Sequence, residues 1–143
     1  MTVEALQDCL AAEHAAVYGY GVLGGVLAGE SAPGSADQER AASGYVEHRT
    51  RRDDLTAEIS ATGADPVAAD PAYELPGPVV SVDDCRSLAR DLEERCAQVY
   101  ADAVARSADD DDRETAARAL TACALRAVSW GARPEPFPGV AEL

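Results

Sequence analysis

The confinement of proline to the connections constrains the fold of this chain more than any other sequence feature. All eight prolines lie outside four long stretches in which apolar residues recur at alternating spacings of three and four. This spacing is typical of helices that bury one face. We therefore predict one all-α domain over residues 1–143, with helices at about 3–28, 36–62, 81–106 and 110–130 and an extended tail over 131–143.

The connections between the predicted helices differ greatly in length. The first and third are short, whereas residues 63–80 contain two glycines and four prolines and cannot continue a helix. A 25-residue helix is roughly 37 Å long and an 18-residue connection spans up to roughly 59 Å, so this connection is long enough to traverse a bundle. The order short, long, short predicts two antiparallel hairpins joined by a long crossover, the topology of ferritin-like four-helix bundles.

Polar residues interrupt the predicted core stripes. The first stripe is Leu6, Leu10, Glu13, Val17, Tyr20, Gly24 and Leu27. The second is Ala41, Tyr45, His48, Arg52, Leu55 and Ile59. Because buried charges are normally paired, we predict that these polar residues meet residues from the third helix in one buried cluster. Its predicted members are Glu13, His48, Arg52, Glu93, Tyr45 and Tyr100.

Composition and charge limit the classes of partner. Leu, Ile, Val and Phe supply only 26 residues, but 30 alanines favour helices that pack closely with few large side chains. The formal charge of −14 argues against a nucleic-acid or anionic-membrane partner, since like charges repel. No apolar run is long enough to span a membrane and no basic leader follows Met1, so we expect a cytoplasmic protein.

Cysteines and glycines give two further expectations. Cys9, Cys85, Cys96 and Cys123 lack the spacing of metal ligands, and each is expected to be a small buried side chain in a reducing compartment. Glycines at positions 21, 25 and 29 allow close approach of another helix, within the bundle or across a homodimer. Phe137 is expected to anchor the proline-rich tail on the bundle.

Several segments together resemble a bacterial ferritin-like domain family of unknown function, and the resemblance covers nearly the whole chain. The segments that carry it are residues 12–21 (AEHAAVYGYG), His48 followed by Arg51-Arg52-Asp53, Leu92-Glu93 followed by Arg95 and Tyr100, and the alanine-rich fourth helix that ends at Trp130. The resemblance implies the fold rather than an activity.

The metal ligands of ferritin-like proteins are only partly present. Such proteins place one Glu on each of two helices and a Glu-x-x-His pair on each of the other two. Glu13 and Glu93 match the single acids, but Tyr45 stands three residues before His48, and the fourth helix carries no His and no acid after Glu114. Arg52 would place a fixed positive charge where a metal cation would lie.

Three functional hypotheses follow. The first, which we favour, is a non-catalytic binding or structural module without a cofactor, present as a homodimer, whose metal site is degenerate. The second is a metal-carboxylate protein that handles iron or oxygen and binds iron or manganese through Glu13, His48 and Glu93. The third is a small-ligand carrier that uses the interior of the bundle. No catalytic residue set is found in the sequence.

Overall fold

Four helices build the protein, as the computed structural model shows for residues 1–140. They are α1 (Val3–Glu30), α2 (Ala36–Ala61), α3 (Val82–Arg106) and α4 (Asp110–Ser129), so the predicted all-α architecture is confirmed and each boundary lies within two residues of its predicted place. The last three residues of the predicted tail, 141–143, lie outside the described residues. Each helix begins behind an oxygen-bearing side chain that accepts a backbone N–H of the first turn. These caps are Thr2, Ser35, Ser81 and Asp109.

The helices are arranged as two antiparallel hairpins, α1 with α2 and α3 with α4, and α1 also packs against α3. The crossover from α2 to α3 runs along α1. Near its start, the backbone N–H of Val67 donates to Gln7 in the first turns of α1. Further on, the ring of Tyr73 lies tilted against that of Tyr18, with 5.4 Å between the ring centroids, and the partly buried Leu75 packs against the core beyond it. The connection therefore passes along the bundle from one end to the other, as predicted.

The core has two apolar clusters with a polar layer between them. One cluster contains residues from the first half of α1 and the second halves of α2 and α3; it includes Leu6, Leu10, Leu55, Ile59 and Ala103. The other includes Tyr20, Leu23, Leu27, Leu88 and Trp130. Charged side chains at the middle of the helices are thus shielded from water on both sides.

Two expectations about the surface are corrected. Beyond the backbone of α1 itself and the neighbouring residues, a Cβ built on Gly21, Gly25 or Gly29 would meet no described atom within 4 Å, so the first of the two expected uses of these glycines, close packing inside the bundle, is wrong. Phe137 is 65% exposed and does not anchor the tail. The tail instead lies on α3 through Gly139, whose φ is +79° and whose added Cβ would lie 2.4 Å from the Ala97 carbonyl oxygen. Among residues 1–140, no helix has both the length and the apolar character needed to cross a membrane.

Candidate functional site: a buried ion cluster

His48 of α2 lies at the centre of the polar layer, between two carboxylates. Its Nδ1 is 2.6 Å from Glu13 Oε2 and its Nε2 is 3.0 Å from Glu93 Oε1. All three side chains are completely buried. A protonated imidazole donates from both ring nitrogens, and each nitrogen here faces a carboxylate oxygen that can accept. The arrangement therefore holds His48 as a positively charged imidazolium.

Glu93 of α3 accepts three hydrogen bonds on one oxygen. Besides His48, Tyr20 OH donates to Oε1 at 2.5 Å and Arg126 Nε donates to it at 2.8 Å. The indole N–H of Trp130 then donates to Tyr20 OH at 3.0 Å, which extends the network towards the end of α4. Such a concentration of donors is the arrangement that stabilises a carboxylate away from water.

Glu13 of α1 completes the cluster on the other side of His48. Tyr100 OH donates to Glu13 Oε1 at 2.6 Å, and Arg51 Nη1 lies 3.8 Å from the same oxygen. Arg126 and His48 offset the charges of the two carboxylates. At the margin of the cluster, Glu47 pairs with Arg126. The negative charge of Glu47 offsets the positive charge of Arg51.

The pKa values of these groups follow from their partners. Burial alone would lower the pKa of His48, but the hydrogen bonds to Glu13 and Glu93 outweigh it and raise the pKa to about 9. Burial would raise the pKa of Glu93, yet the hydrogen bond and charge of His48 and the charge of Arg126 hold it below its usual value. Burial and the neighbouring carboxylates raise the pKa of Tyr20 and Tyr100, so both phenols stay protonated. At neutral pH His48, Glu93 and Arg126 therefore carry their charges, while the two phenols are neutral.

Small residues make room for the cluster. The ring of Tyr20 lies against Gly44 of α2, where an added Cβ would lie 2.4 Å from a ring carbon. Gly19 is similarly covered by Leu92, with 2.5 Å between an added Cβ and a methyl carbon. These two glycines allow α1 to approach α2 and α3 closely enough for its side chains to meet those of His48 and Glu93.

The structure brings together four of the six residues named from the sequence: Glu13, His48, Glu93 and Tyr100. The expected Glu13–Arg52 ion pair is wrong, because Arg52 turns outward and binds Asp53, with 2.6 Å between Nη2 and Oδ1. Tyr45 is half-buried at the edge of the apolar cluster around Trp130 and makes no hydrogen bond to the ion cluster within the described part of the chain. The neighbouring residues on α2, Arg51 and Gly44, face inward instead.

Sequence reasoning missed four members of the cluster. Tyr20 lies on the first predicted stripe and Trp130 ends the predicted fourth helix, and neither was included in the predicted polar cluster. Arg51 lies three residues after His48, on the same helical face as the predicted Arg52. Arg126 follows Cys123 by three residues and directly precedes Ala127, and both of these neighbours are buried residues of α4. Its long side chain reaches inward from this border position, which apolar periodicity does not reveal.

The cluster also contains a group with metal-ligand geometry. One ligand atom each from Glu13, His48 and Cys96 lie within 4.8 Å of one another, and all three residues are buried. However, a ligand must be deprotonated. Both nitrogens of His48 are engaged with carboxylates, and the hydrogen bond to Cys123 and burial raise the pKa of Cys96. A cation here would also meet the fixed charges of Arg51 and Arg126, so the residues do not fit a di-metal centre.

Fold and site define a four-helix bundle with an internal cluster of charged and phenolic side chains. The chain belongs to the family described as domain of unknown function DUF4439, whose family profile matches residues 5–142. It is similar to a conserved hypothetical protein, rv2844, from Mycobacterium tuberculosis, whose crystal structure matches with a TM-score of 0.79 and 37% sequence identity over 89% of this chain and 92% of that chain. No curated protein matches the chain in sequence.

Proposed function

We propose that this chain is a non-catalytic ferritin-like module, with a binding or structural role, in which an ion cluster takes the place of a di-metal centre. The observation that carries the proposal is the position of His48, which uses both ring nitrogens to join Glu13 and Glu93. In this arrangement the imidazolium and Arg126 supply the positive charge that metal ions supply in di-metal carboxylate proteins. The two positive charges balance those of the two carboxylates, and Glu93 Oε2 is the carboxylate oxygen of the cluster that is buried without a hydrogen-bond partner among the described residues.

The burial of the cluster and the location of the cleft both support a non-catalytic function. The two carboxylates and His48 are completely buried, so no substrate reaches them without opening of the helices. A cleft of about 500 Å³ lies between the tail and helices α3 and α4, outside the bundle interior, and it is lined by none of the cluster residues. The homodimer expected from the sequence remains part of this proposal, with the exposed glycine face of α1 as its candidate surface.

The decisive experiment tests whether the cation at the centre of the cluster is the protonated His48 or a bound metal ion. Protein prepared without chelator or affinity tag is analysed for metal, and its thermal unfolding is followed with and without added Fe(II), Mn(II) and Zn(II). We expect no stoichiometric metal and no rise in melting temperature, since only a ligand that binds the folded state stabilises it. In parallel, nitrogen NMR of the imidazole rings should show His48 with a proton on each nitrogen at neutral pH.

The second histidine of the chain provides a matched control for the NMR assignment. His14, the second histidine, lies outside the cluster and contacts the Val67 carbonyl oxygen through Nε2 at 3.0 Å. Replacement of His14 by Gln should leave the NMR signals of His48 unchanged. A metal-dependent rise in melting temperature that disappears in Glu13→Ala would overturn the proposal in favour of the metal-carboxylate hypothesis.

A further inference from the structure

The cleft between the C-terminal tail and helices α3 and α4 gathers exposed apolar side chains on one surface. Within residues 1–140 eight large apolar side chains are exposed, and four of them line this cleft: Leu125, Val128, Phe137 and Val140. Leu125 and Phe137 are the most exposed of the four, at 66% and 65%. Large apolar side chains that collect on one concave surface of a folded domain are typical of a binding site.

The backbone holds one wall of the cleft in place at both ends. At the start of the tail, the N–H of Ala132 donates to the Ala127 carbonyl oxygen at 2.9 Å. At its end, Gly139 approaches α3 so closely that an added Cβ would lie 2.4 Å from the Ala97 carbonyl oxygen. Residues 133–138 therefore form a wall beside α3 and α4. The cleft of about 500 Å³ next to this wall has the size of a small-molecule site.

The charged groups of the cleft favour a cationic ligand. The carboxylates of Glu94 and Glu135 line it together with one guanidinium group, that of Arg133, and all three side chains are exposed. None of the ion pairs formed by the described residues uses Glu94 or Glu135. The formal charge of −14 on the whole chain acts in the same direction, because it attracts cations to the surface.

The apolar wall favours the same kind of ligand. Pro134, Pro136 and Pro138 have no backbone N–H, so the tail offers a ligand more carbonyl acceptors than N–H donors. An ammonium group is a donor only. The exposed ring of Phe137 lies in the same segment, and the face of an aromatic ring attracts a cation within about 6 Å of its centre. Acceptors, carboxylates and an aromatic ring together suit an organic ammonium ion.

A second copy of the chain suits this cleft less well. Two copies that met here would bring together two carboxylates but only one guanidinium group from each copy, so negative charges would outnumber positive ones. The glycine face of α1, which is the candidate homodimer surface, belongs to a stretch without charged residues from 15 to 29. Self-association is therefore less unfavourable at α1 than at the cleft.

We propose that the cleft binds a small amphipathic cation, that is, an ammonium group attached to an apolar body. The apolar body lies against Leu125, Val128 and Phe137, and the ammonium group lies at the carboxylates of Glu94 and Glu135. The proposal rests on the binding role proposed for the module but not on its ion cluster, since no residue of that cluster lines the cleft.

The test titrates the protein at neutral pH with two fluorescent probes that share a dansyl ring on an alkyl linker. The linker ends in an ammonium group in dansylcadaverine and in a carboxylate in dansyl-aminohexanoic acid. We expect saturable binding of dansylcadaverine with blue-shifted emission. Binding of the carboxylate probe should be about tenfold weaker, because the two acids attract one probe and repel the other. Backbone NMR signals should shift mainly within residues 124–128 and 133–140.

The apolar contribution is tested by Phe137→Ser. This variant should weaken the binding of both probes about tenfold, because the ring supplies contact area to the dansyl group whatever the charge of the linker. Val46→Ser is the matched control, since Val46 is 60% exposed on α2 and does not line the cleft. It should bind both probes with unchanged affinity.

The ionic contribution is tested by the double variant Glu94→Gln with Glu135→Gln. It should lose most of the preference for dansylcadaverine over the carboxylate probe. The matched control is Glu30→Gln with Glu58→Gln, which removes the same charge from exposed positions outside the cleft. This control should keep the preference of the unmodified protein.

The absence of saturable dansylcadaverine binding would overturn the proposal, as would equal affinities of the unmodified protein for the two probes. NMR shifts centred on another surface, or equal affinities of Phe137→Ser and Val46→Ser, would also overturn it. Sedimentation velocity addresses the other occupant: conversion of a dimer to a monomer by Phe137→Ser would show that a second copy fills the cleft. None of these outcomes changes the NMR signals of His48, which test the ion cluster separately.

Discussion

Raising the pH should destabilise this protein because His48 must lose its proton. This loss should occur well below the pH at which the arginine side chains lose their charge. The folded-state pKa of His48 is about 9, above the ordinary histidine pKa of 6.5 that applies to the unfolded chain. Between these two values the folded state binds a proton that the unfolded state does not. Stability contributed by this proton is complete below about pH 6.5 and is lost as the pH rises through about 9.

The magnitude follows from the same two values. Each pH unit in this window removes about 1.4 kcal/mol from the free energy of unfolding, so the total loss approaches about 3 kcal/mol. Between about pH 6.5 and about pH 8 the loss is about 2 kcal/mol. On the acid side the sign reverses: the lowered pKa of Glu93 gives stability that is present above its unfolded value and is lost as the pH falls through its folded value. The stability maximum should therefore lie in mildly acidic solution.

Urea unfolding at fixed temperature and several pH values between about 6.5 and about 8 measures this slope. The window stays below the range in which the raised pKa values of Cys9 and Cys85 matter. A Cys123→Ala background removes the opposite contribution of the lowered Cys123 pKa. The slope should persist in His14→Gln and disappear in His48→Gln. A flat profile in the unmodified protein, or a slope that depends on His14, would refute the assignment of a buried imidazolium.

Two further predictions use matched pairs of variants, each measured by urea unfolding. Gly44→Ala should lower the free energy of unfolding by about 1 to 3 kcal/mol, because the added Cβ would overlap the ring of Tyr20. Gly21→Ala, on the exposed face of α1, should raise it by up to about 1 kcal/mol. An unchanged free energy of unfolding in Gly44→Ala would contradict the close approach of α1 and α2. Arg126→Gln should lower the free energy of unfolding by about 3 to 5 kcal/mol because it removes a charged partner of buried Glu93. Arg52→Gln should change it by less than about 0.5 kcal/mol, because among the described residues the half-buried Arg52 pairs only with the exposed Asp53. Equal effects would show that the arginine assignments are wrong.

The fold was predictable because proline, caps and connection lengths act locally. The caps that the structure shows, such as Ser81 and Asp109, are residue types that favour helix starts, and the length of the crossover is enough to establish which helices pair. Such features depend little on the details of packing. Apolar periodicity then places Glu13 and His48 in the interior, where they are found.

The membership of the cluster was less predictable because a helix offers two inward positions after each buried residue. Arg51 and Arg52 lie three and four residues after His48, and both spacings keep a residue on the same face. Only the position of α4 decides between them: Arg51 faces Cys123 on that helix, while Arg52 faces solvent and Asp53. The same reasoning applies to Gly44 and Tyr45, since the ring of Tyr20 occupies the space next to Gly44.

The ion cluster explains how a bundle with so few large apolar residues keeps one alignment of its helices. Helix faces made of alanine are smooth and interlock little, so packing alone resists the sliding of one helix along another only weakly. A charged side chain displaced by such sliding would lose its partner in an interior without water. Each helix contributes at least one charged group to the network: Glu13 from α1, His48 and Arg51 from α2, Glu93 from α3 and Arg126 from α4. A shift of any helix by one turn would separate at least one pair by about 5 Å. The cluster therefore holds the four helices in one register. A bundle with this core needs such a restraint whether the central cation is an imidazolium or a metal ion.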